Sequence, residues 1–356
     1  MKTGNRIQHL LPVFCLLNYS ILLQTNEKLN KMKQGKARFD YQLNKVNALL
    51  SEAQSQENPA LWLFLHDLRT PMFMLESLSK MYSQFHDKAF FTEINVRFKE
   101  IEDVLGAIDY YAAFLREFHA DVKIPMTVKN HLESKTREKI ILFNDLLIKK
   151  GWTNGKNLRK INEGLTNSKW QNQEDEIANI EKYYHKQIKK INEFVSETTF
   201  EFKNVETQVH ELRRKLRWLS IYPQAFQGAI QLHENEADLK NLKKYLIEEI
   251  VSSPFNNLPV SSTIKHHLLL EKCHFLALSW MISELGKLKD KGLKITALKN
   301  AFQEIAFLKD EEAMNEAYRV LGNDYPKMDI LLKQAGVVAQ KFFDEKVIDK
   351  LIWGID

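Results

Sequence analysis

Apolar residues recur at three- and four-residue steps over long stretches of this chain, and this period is the feature that most restricts its fold. The segment 174–198 shows it clearly, because an α-helix places residues three and four apart on one face. The apolar residues at these steps are Ile177, Ile180, Tyr184, Ile188, Ile191 and Val195. Glycine (12) and proline (8) make up only 20 of the 356 residues, about half of average usage. Together these features predict an all-α protein built of antiparallel helical bundles.

The predicted helices divide into two halves on either side of a polar segment. Residues 151–170 contain three glycines with several Asn and Thr and have weak periodicity, which is typical of a boundary. We therefore predict a first half over 32–165 and a second half over 166–356, each a four-helix unit, with an extra N-terminal helix in 1–31. No alternating pattern predicts a strand. Helices are predicted over 36–56, 60–85, 88–118, 128–150, 174–222 (with a break near Thr198), 224–252, 260–290, 293–321 and 326–352.

The N-terminal run over 7–23 is mostly apolar and follows Lys2 and Arg6. A transmembrane helix needs about 20 apolar residues, whereas this run is shorter and contains Pro12 and several polar residues. No small-residue cleavage site of a signal peptide follows it. We interpret it as a helix packed on the body, with a secretory or anchoring role as the alternative. Two cysteines are too few for a disulfide framework, so we expect a cytoplasmic protein with no membrane partner.

A histidine-containing pattern occurs once in each half and predicts an internal duplication. Counted from each His, both copies have an acid at +1, an Arg at +3 and apolar residues at −5, −1, +2, +6 and +9. The apolar residues are Leu61, Leu65, Leu68, Met72 and Leu75 around His66, and Val205, Val209, Leu212, Leu216 and Leu219 around His210. Each half then has a Leu-Gly pair followed by Asp, at Leu105-Gly106 with Asp109 and at Leu285-Gly286 with Asp290. Two helices are thus expected to bury the same stripe and to present His and Arg on another face.

Cations of the second copy form a stripe that indicates an anion site. His210, Arg213, Arg214 and Arg217 lie at i, i+3, i+4 and i+7, which is one helical face. A bound anion would relieve their mutual repulsion, and guanidinium groups suit phosphate oxygens. A solvated basic face paired with acids of neighbouring helices is the alternative. The predicted polyanion-binding residues are His66, Arg69, Lys203, His210, Arg213, Arg214, Lys215, Arg217, Lys287 and Lys289.

These residues resemble a known family. HELRRKLRWL, and more weakly HDLRTPMFML, are similar to the signature helices of the CHAD family (conserved histidine α-helical domain), in which His is followed by Arg at +3 and by further basic residues near +7, +8 and +10. His66 with Arg69, and His210 with Arg213 and Arg217, match the two motifs. Phe73 stands in the first copy where a basic residue is expected. The resemblance covers about 32–350 and implies two pseudo-symmetric four-helix bundles, a basic central cavity and binding of inorganic polyphosphate without catalysis.

Two other functions remain open from the sequence. A structural or protein-interaction bundle that has lost its ligand would keep the fold and neutralise the Arg residues with acids. HDLRTP at 66–71 also resembles the H-box of sensor histidine kinases, which suggests phosphotransfer through His66. No ATP-binding motif of such a kinase follows, and the second copy lacks the Thr-Pro pair. A net charge of +5 is too small for a generic nucleic-acid binder, and the oligomeric state is not predicted.

Motifs for catalysis, metals and cofactors are weak or absent in the sequence. GWTNGKN at 151–157 hints at a phosphate loop but has one residue too few between its glycines, and Asn157 replaces the required Ser or Thr. His267, Glu271 and His274 would share one helical face, but a di-iron bundle needs a second Glu-x-x-His. We therefore predict a protein that is not an enzyme and has no metal or cofactor. A less specific group of cations over 149–169 could be either an anion path or solubilising surface charge.

Overall fold

The computed structural model describes residues 34–235 and 237–356 and shows a predominantly helical protein. The all-α class is confirmed at this level. The predicted N-terminal helix in 1–31 lies outside the described residues. Every helix in the described part is too short or too polar to cross a membrane.

Helices of the first half follow the predicted apolar periods with two corrections. They are α1 (Gln34–Ala53), α2 (Pro59–Leu65), α3 (Arg69–Tyr82), α4 (Lys88–His119), α5 (Met126–Lys149) and α6 (Lys156–Asn167). The single helix predicted over 60–85 is wrong, because Asp67 takes a φ of +56° and a left-handed residue interrupts a right-handed helix. The segment 151–170 contains α6 as well as a turn. Leu158, Ile161 and Leu165 give α6 a buried stripe.

Helices of the second half are separated by a long irregular connection. The elements are α7 (Gln173–Thr198), a π-helical turn (Val205–His210), α8 (Glu211–Ala225), α9 (Leu239–Leu242), α10 (Glu248–Val251), α11 (Lys272–Ala306), α12 (Asp310–Leu321) and α13 (Met328–Asp344). The predicted break near Thr198 is present. The boundary predicted between 290 and 293 is wrong, because Gly292 lies inside α11 and allows close packing. A Cβ on Gly292 would lie 2.8 Å from Val205.

A small sheet corrects the prediction that the chain contains no strands. It consists of β1 (Ile230–His233), β2 (Leu268–Glu271) and β3 (Ile352–Ile355), with β2 in the centre, parallel to β1 and antiparallel to β3. The single helix predicted over 224–252 is therefore wrong, because β1 and the short helices α9 and α10 lie there instead. The helix predicted from 260 begins only at Lys272. Short apolar runs such as Leu268–Glu271 cannot be distinguished from buried helix by periodicity alone.

One continuous apolar core extends through both halves, and a buried polar cluster connects them. The Arg38 guanidinium donates to Glu176 at 2.7 Å and to the Tyr82 hydroxyl at 2.8 Å. Tyr82 donates in turn to Glu176 at 2.5 Å. All three side chains are almost fully buried, so this cluster fixes α1 and α3 of the first half against α7 of the second. Elsewhere, α3 packs on both α4 and α8, and α8 packs on α11.

Candidate functional site

The first copy of the His/Arg motif is divided between two helices. His66 follows the end of α2, and its ring stacks on Trp62 with the centroids 3.8 Å apart. Its Nδ1 lies 2.8 Å from the Trp62 carbonyl oxygen. Asp67 then breaks the helix and Arg69 begins α3. His66 is exposed and shares no partner with Arg69, so this predicted pair does not form one face.

The second copy is continuous, because the π-helical turn leads directly into α8. Val205 and Val209 are 7% and 1% exposed, whereas the matching Leu61 and Leu65 are 36% and 67% exposed. The predicted stripe is thus buried at its first two positions only in the second copy. Beyond the His, all of its positions are fully buried in both copies, at Leu68, Met72, Leu75, Leu212, Leu216 and Leu219.

Each motif Arg lies against the glycine of its own half's Leu-Gly pair. A Cβ added to Gly106 on α4 would come within 2.9 Å of Arg69 Nη2. A Cβ added to Gly286 on α11 would lie 3.1 Å from Arg213 Nε. The same Arg-on-glycine contact therefore occurs at both predicted repeat positions, and the missing side chain makes room for each guanidinium.

Two carboxylates neutralise the Arg69 guanidinium. Its Nε and Nη2 donate to Glu102 Oε1 at 3.0 and 2.8 Å, and its Nη1 donates to Asp109 Oδ2 at 2.8 Å. Glu102 lies one turn before Gly106 on α4, and Asp109 lies about one turn after it. The first-half Arg is thus already paired within the protein.

Arg213 has a backbone partner instead of a carboxylate. Its Nε donates to the Ile282 carbonyl oxygen at 3.1 Å, one turn before Gly286 on α11. No carboxylate of the described residues lies within 4.0 Å of it. Burial lowers the pKa of Arg213, and the nearby Asp290 opposes this effect. Four of the five guanidinium donors that an Arg offers therefore stay open to another acceptor.

Arg217 brings the two copies together where α3 crosses α8. Its guanidinium carbon lies 4.9 Å from the centre of the Phe73 ring, and that of Arg69 lies 5.4 Å from the same ring. Within the described part of the chain, the Arg217 side chain has no hydrogen bond or ion pair. The pKa of Arg217 is lowered, first by burial and then by the like charges of Arg213 and Arg69. The negative charge of Glu102 opposes this lowering without cancelling it. Three guanidinium groups therefore converge here, and two of them lack a carboxylate partner.

The other predicted site residues lie at the edges of this cluster or away from it. Arg214 and Lys215 both pair with Glu211, at 2.8 and 3.4 Å. Lys203 is exposed beside Glu201, and Lys287 pairs with Glu284. Lys289 pairs with Asp290 at 2.7 Å, and His210 Nδ1 lies 3.4 Å from Glu206. Of the predicted site residues, only Arg69, Arg213 and Arg217 converge, and these three form the arginine cluster.

Sequence reasoning missed the acidic side of this region. Glu76 on α3 is buried, and burial together with Glu102 raises its pKa to about 7. One turn later, Lys80 lies with its Nζ 4.2 Å from the Trp218 ring centre, and burial lowers its pKa to about 8. The spacing in the sequence could have indicated Glu76, because it follows Arg69 by about two helical turns and so lies on the same face of α3.

The residues considered for a metal site do not come together. His267 directly precedes β2, and its Nδ1 lies 2.9 Å from the Gly228 carbonyl oxygen. Glu271 ends β2 and accepts from Asn235, whereas His274 in α11 contacts the Val347 carbonyl oxygen. A strand and a helix thus replace the single face that the spacing suggested. The described ranges contain no group of three or more His, Cys, Asp or Glu side chains placed to hold a metal.

No family model matches the chain, and comparison with curated proteins and with solved structures also gives no match.

Proposed function

We propose that this protein is a non-catalytic helical module that binds a phosphate-rich polyanion such as inorganic polyphosphate. The observation that carries the proposal is the position of Arg217, which lies beside Arg69 and Arg213 and has no carboxylate partner among residues 34–235 and 237–356. Like charges placed together in a half-buried position are costly, and an anion relieves that cost. A multidentate phosphate chain is a suitable ligand, because planar guanidinium groups bind phosphate oxygens in pairs.

The members of the cluster contribute unequally in this proposal. Arg213 and Arg217 provide most of the binding, since their guanidinium groups have free donors. Arg69 contributes less, because a phosphate must compete with Glu102 and Asp109 for it. His210 lies one helical turn before Arg213 and offers a ring N–H to a polyanion bound nearby.

The proposed duplication explains why one cluster contains residues of both halves. The Arg-on-glycine contact at Gly106 and at Gly286 supports two repeat units that face each other across α3 and α8. In this arrangement Phe73 occupies the position in the first unit that Arg217 has in the second. The contact between Phe73 and Arg217 then lies near the axis that relates the two units.

The proposal is tested by titrating long-chain polyphosphate into the wild-type protein and into an Arg213→Ala/Arg217→Ala variant at several salt concentrations. We expect the double variant to lose at least about tenfold in affinity, because each charge-assisted contact contributes about 1.5–3 kcal/mol. If binding releases counterions as nucleic-acid binding does, affinity should fall steeply with salt. Lys333→Ala/Lys341→Ala is the matched control, since both lysines are exposed on α13.

A structural bundle that has lost its ligand is the second candidate, and the double pairing of Arg69 favours it. It predicts no binding of polyphosphate at low salt, or equal affinity for the wild type and both double variants. Either result would reject the proposed function. A selective loss in the Arg213→Ala/Arg217→Ala variant would reject the structural alternative.

A further inference from the structure

A second cationic region lies on the opposite side of α4 from the arginine cluster. It is a cleft of about 660 Å³ between α4, the end of α5 and the turn that leads into α6. Arg97 in this cleft and Gly106, against which Arg69 packs, are nine residues apart on α4. Nine residues are two and a half helical turns, so the two residues lie on opposite faces of the helix. The cleft is thus separate from the proposed polyanion site, and its volume is within the range of small-molecule pockets.

Cations outnumber acids in this cleft by five to two, a net charge of +3. The cations are Arg97, Lys149, Lys150, Lys156 and Lys160, and the acids are Glu93 and Glu100. Hydrogen bonds from Lys160 and Arg97 lower the pKa of Glu93, and Lys150 pairs with Glu100 at 2.7 Å. Both acids are therefore already occupied. Lys149 and Lys156 are exposed and have no carboxylate within 4.0 Å in the described part of the chain.

The turn between α5 and α6 places these two lysines at the same cleft. Gly151 and Gly155 both have positive φ, at +72° and +70°, so the chain reverses within a few residues. The amides of Lys156 and Asn157 are taken by Asn154 Oδ1 and by the Gly151 carbonyl oxygen. An anion in this cleft would thus be held by the lysine side chains, not by the backbone as in a phosphate loop.

The cleft also has an apolar part. Val96 on α4 and Ile148 on α5 are 50% and 66% exposed, and both line it. Binding pockets combine apolar walls with a few polar groups that fix the ligand. This combination favours a small molecule with a polyanionic end and an apolar or aromatic end over a bare phosphate chain.

We propose that this cleft binds a phosphorylated small molecule of the nucleoside triphosphate class. Lys149 and Lys156 bind the phosphates, and Val96 and Ile148 contact the base or ribose. The inference is independent of the proposed polyanion function, since the two sites share no residue.

Calorimetric titration of ATP, inorganic triphosphate and adenosine at low salt tests the proposal. We expect ATP to bind the wild type at one site and Lys149→Ala/Lys156→Ala to weaken it at least about tenfold. Ile148→Ser should weaken ATP binding by about threefold, because apolar contact is lost, and should leave triphosphate binding unchanged. The controls are Lys333→Ala/Lys341→Ala, which removes the same charge elsewhere, and Arg213→Ala/Arg217→Ala, which should bind ATP like the wild type. All substituted side chains in the cleft are exposed, so circular dichroism should show intact folds.

Absence of ATP binding to the wild type would overturn this assignment. Equal losses in the two lysine variants, or a loss caused by Arg213→Ala/Arg217→Ala, would also overturn it, because the site would then be nonspecific or located at the cluster. Triphosphate binding as tight as ATP binding, with no effect of Ile148→Ser, would show that the ligand class is wrong. A failure of polyphosphate to bind the arginine cluster would leave the expected ATP results unchanged.

Discussion

Glu102→Gln should strengthen polyanion binding, which is the opposite of what substitution near a site usually does. Glu102 accepts two hydrogen bonds from Arg69 and also lies close enough to Arg217 to raise its pKa. A glutamine keeps the shape and one acceptor oxygen but removes the negative charge. Asp109 continues to hold the Arg69 guanidinium, so we expect the fold to be retained.

The size of the effect follows from Coulomb's law. A phosphate oxygen held by Arg69 on the side away from Glu102 would be about 6 Å from the carboxylate, since each contact to the guanidinium is about 2.8 Å. At that distance two unit charges repel by about 0.7 kcal/mol in water and by about 3 kcal/mol at an effective dielectric constant of 20. The lower figure corresponds to about threefold in affinity. Glu102 is mostly buried, so we expect an increase of at least about threefold.

Titration of polyphosphate at low salt measures this change. Glu193→Gln is the matched control, because Glu193 is an exposed acid on α7 whose one ion pair among the described residues is with Lys189, at 3.9 Å. It changes the net charge by the same amount and should leave the affinity unchanged within about twofold. Unchanged or weaker binding by Glu102→Gln, with an intact fold, would refute the view that Glu102 competes with the ligand.

Three further outcomes are expected. Gly286→Ala should weaken polyphosphate binding by displacing Arg213. The melting temperature should change little, because the helix propensity that Ala gains, about 1 kcal/mol, offsets the strain of its tight contact with Arg213; normal affinity would contradict this prediction. The pKa of Glu76 rises from 4.5 to about 7 on folding, so stability should fall as pH rises through that window, by up to about 3 kcal/mol. Denaturant unfolding of Glu76→Gln should lack this fall. Glu176→Gln should cost about 3–5 kcal/mol of unfolding free energy, since Arg38 is left buried without its partner charge; a loss below about 1 kcal/mol would contradict the buried pair.

The apolar period predicted most helices but not their interruptions. The periodic stripe around His66 continues through the break at Asp67, because the apolar spacing is compatible with helix on both sides of it. The side chain of Asp67 accepts from Thr70, and this local bond competes with the helical backbone. Because this competition depends on one polar residue, it does not change the spacing of the apolar residues from which the helix was predicted. The same limit explains why β2, only four residues long, was predicted as helix.

The candidate site was predictable as a set of cations but not as a balance of charges. Arg213 and Arg217 follow from their spacing in the second copy of the motif, and Arg69 follows from the duplication that the sequence pattern predicts. Their different surroundings do not follow, because Glu102 belongs to another helix more than 30 residues from Arg69. The packing between helices thus decides which Arg is neutralised. The spacing of residues along one helix does not predict these contacts between helices.

The cluster of Arg38, Tyr82 and Glu176 has a consequence for how the chain could be divided. A fragment that ends before α7 would contain a fully desolvated guanidinium without its anion, and the complementary fragment would contain the anion without its cation. Neither piece would be expected to reach a native state alone, although the two could refold on mixing. If the halves arose by gene doubling, they have since become dependent on each other.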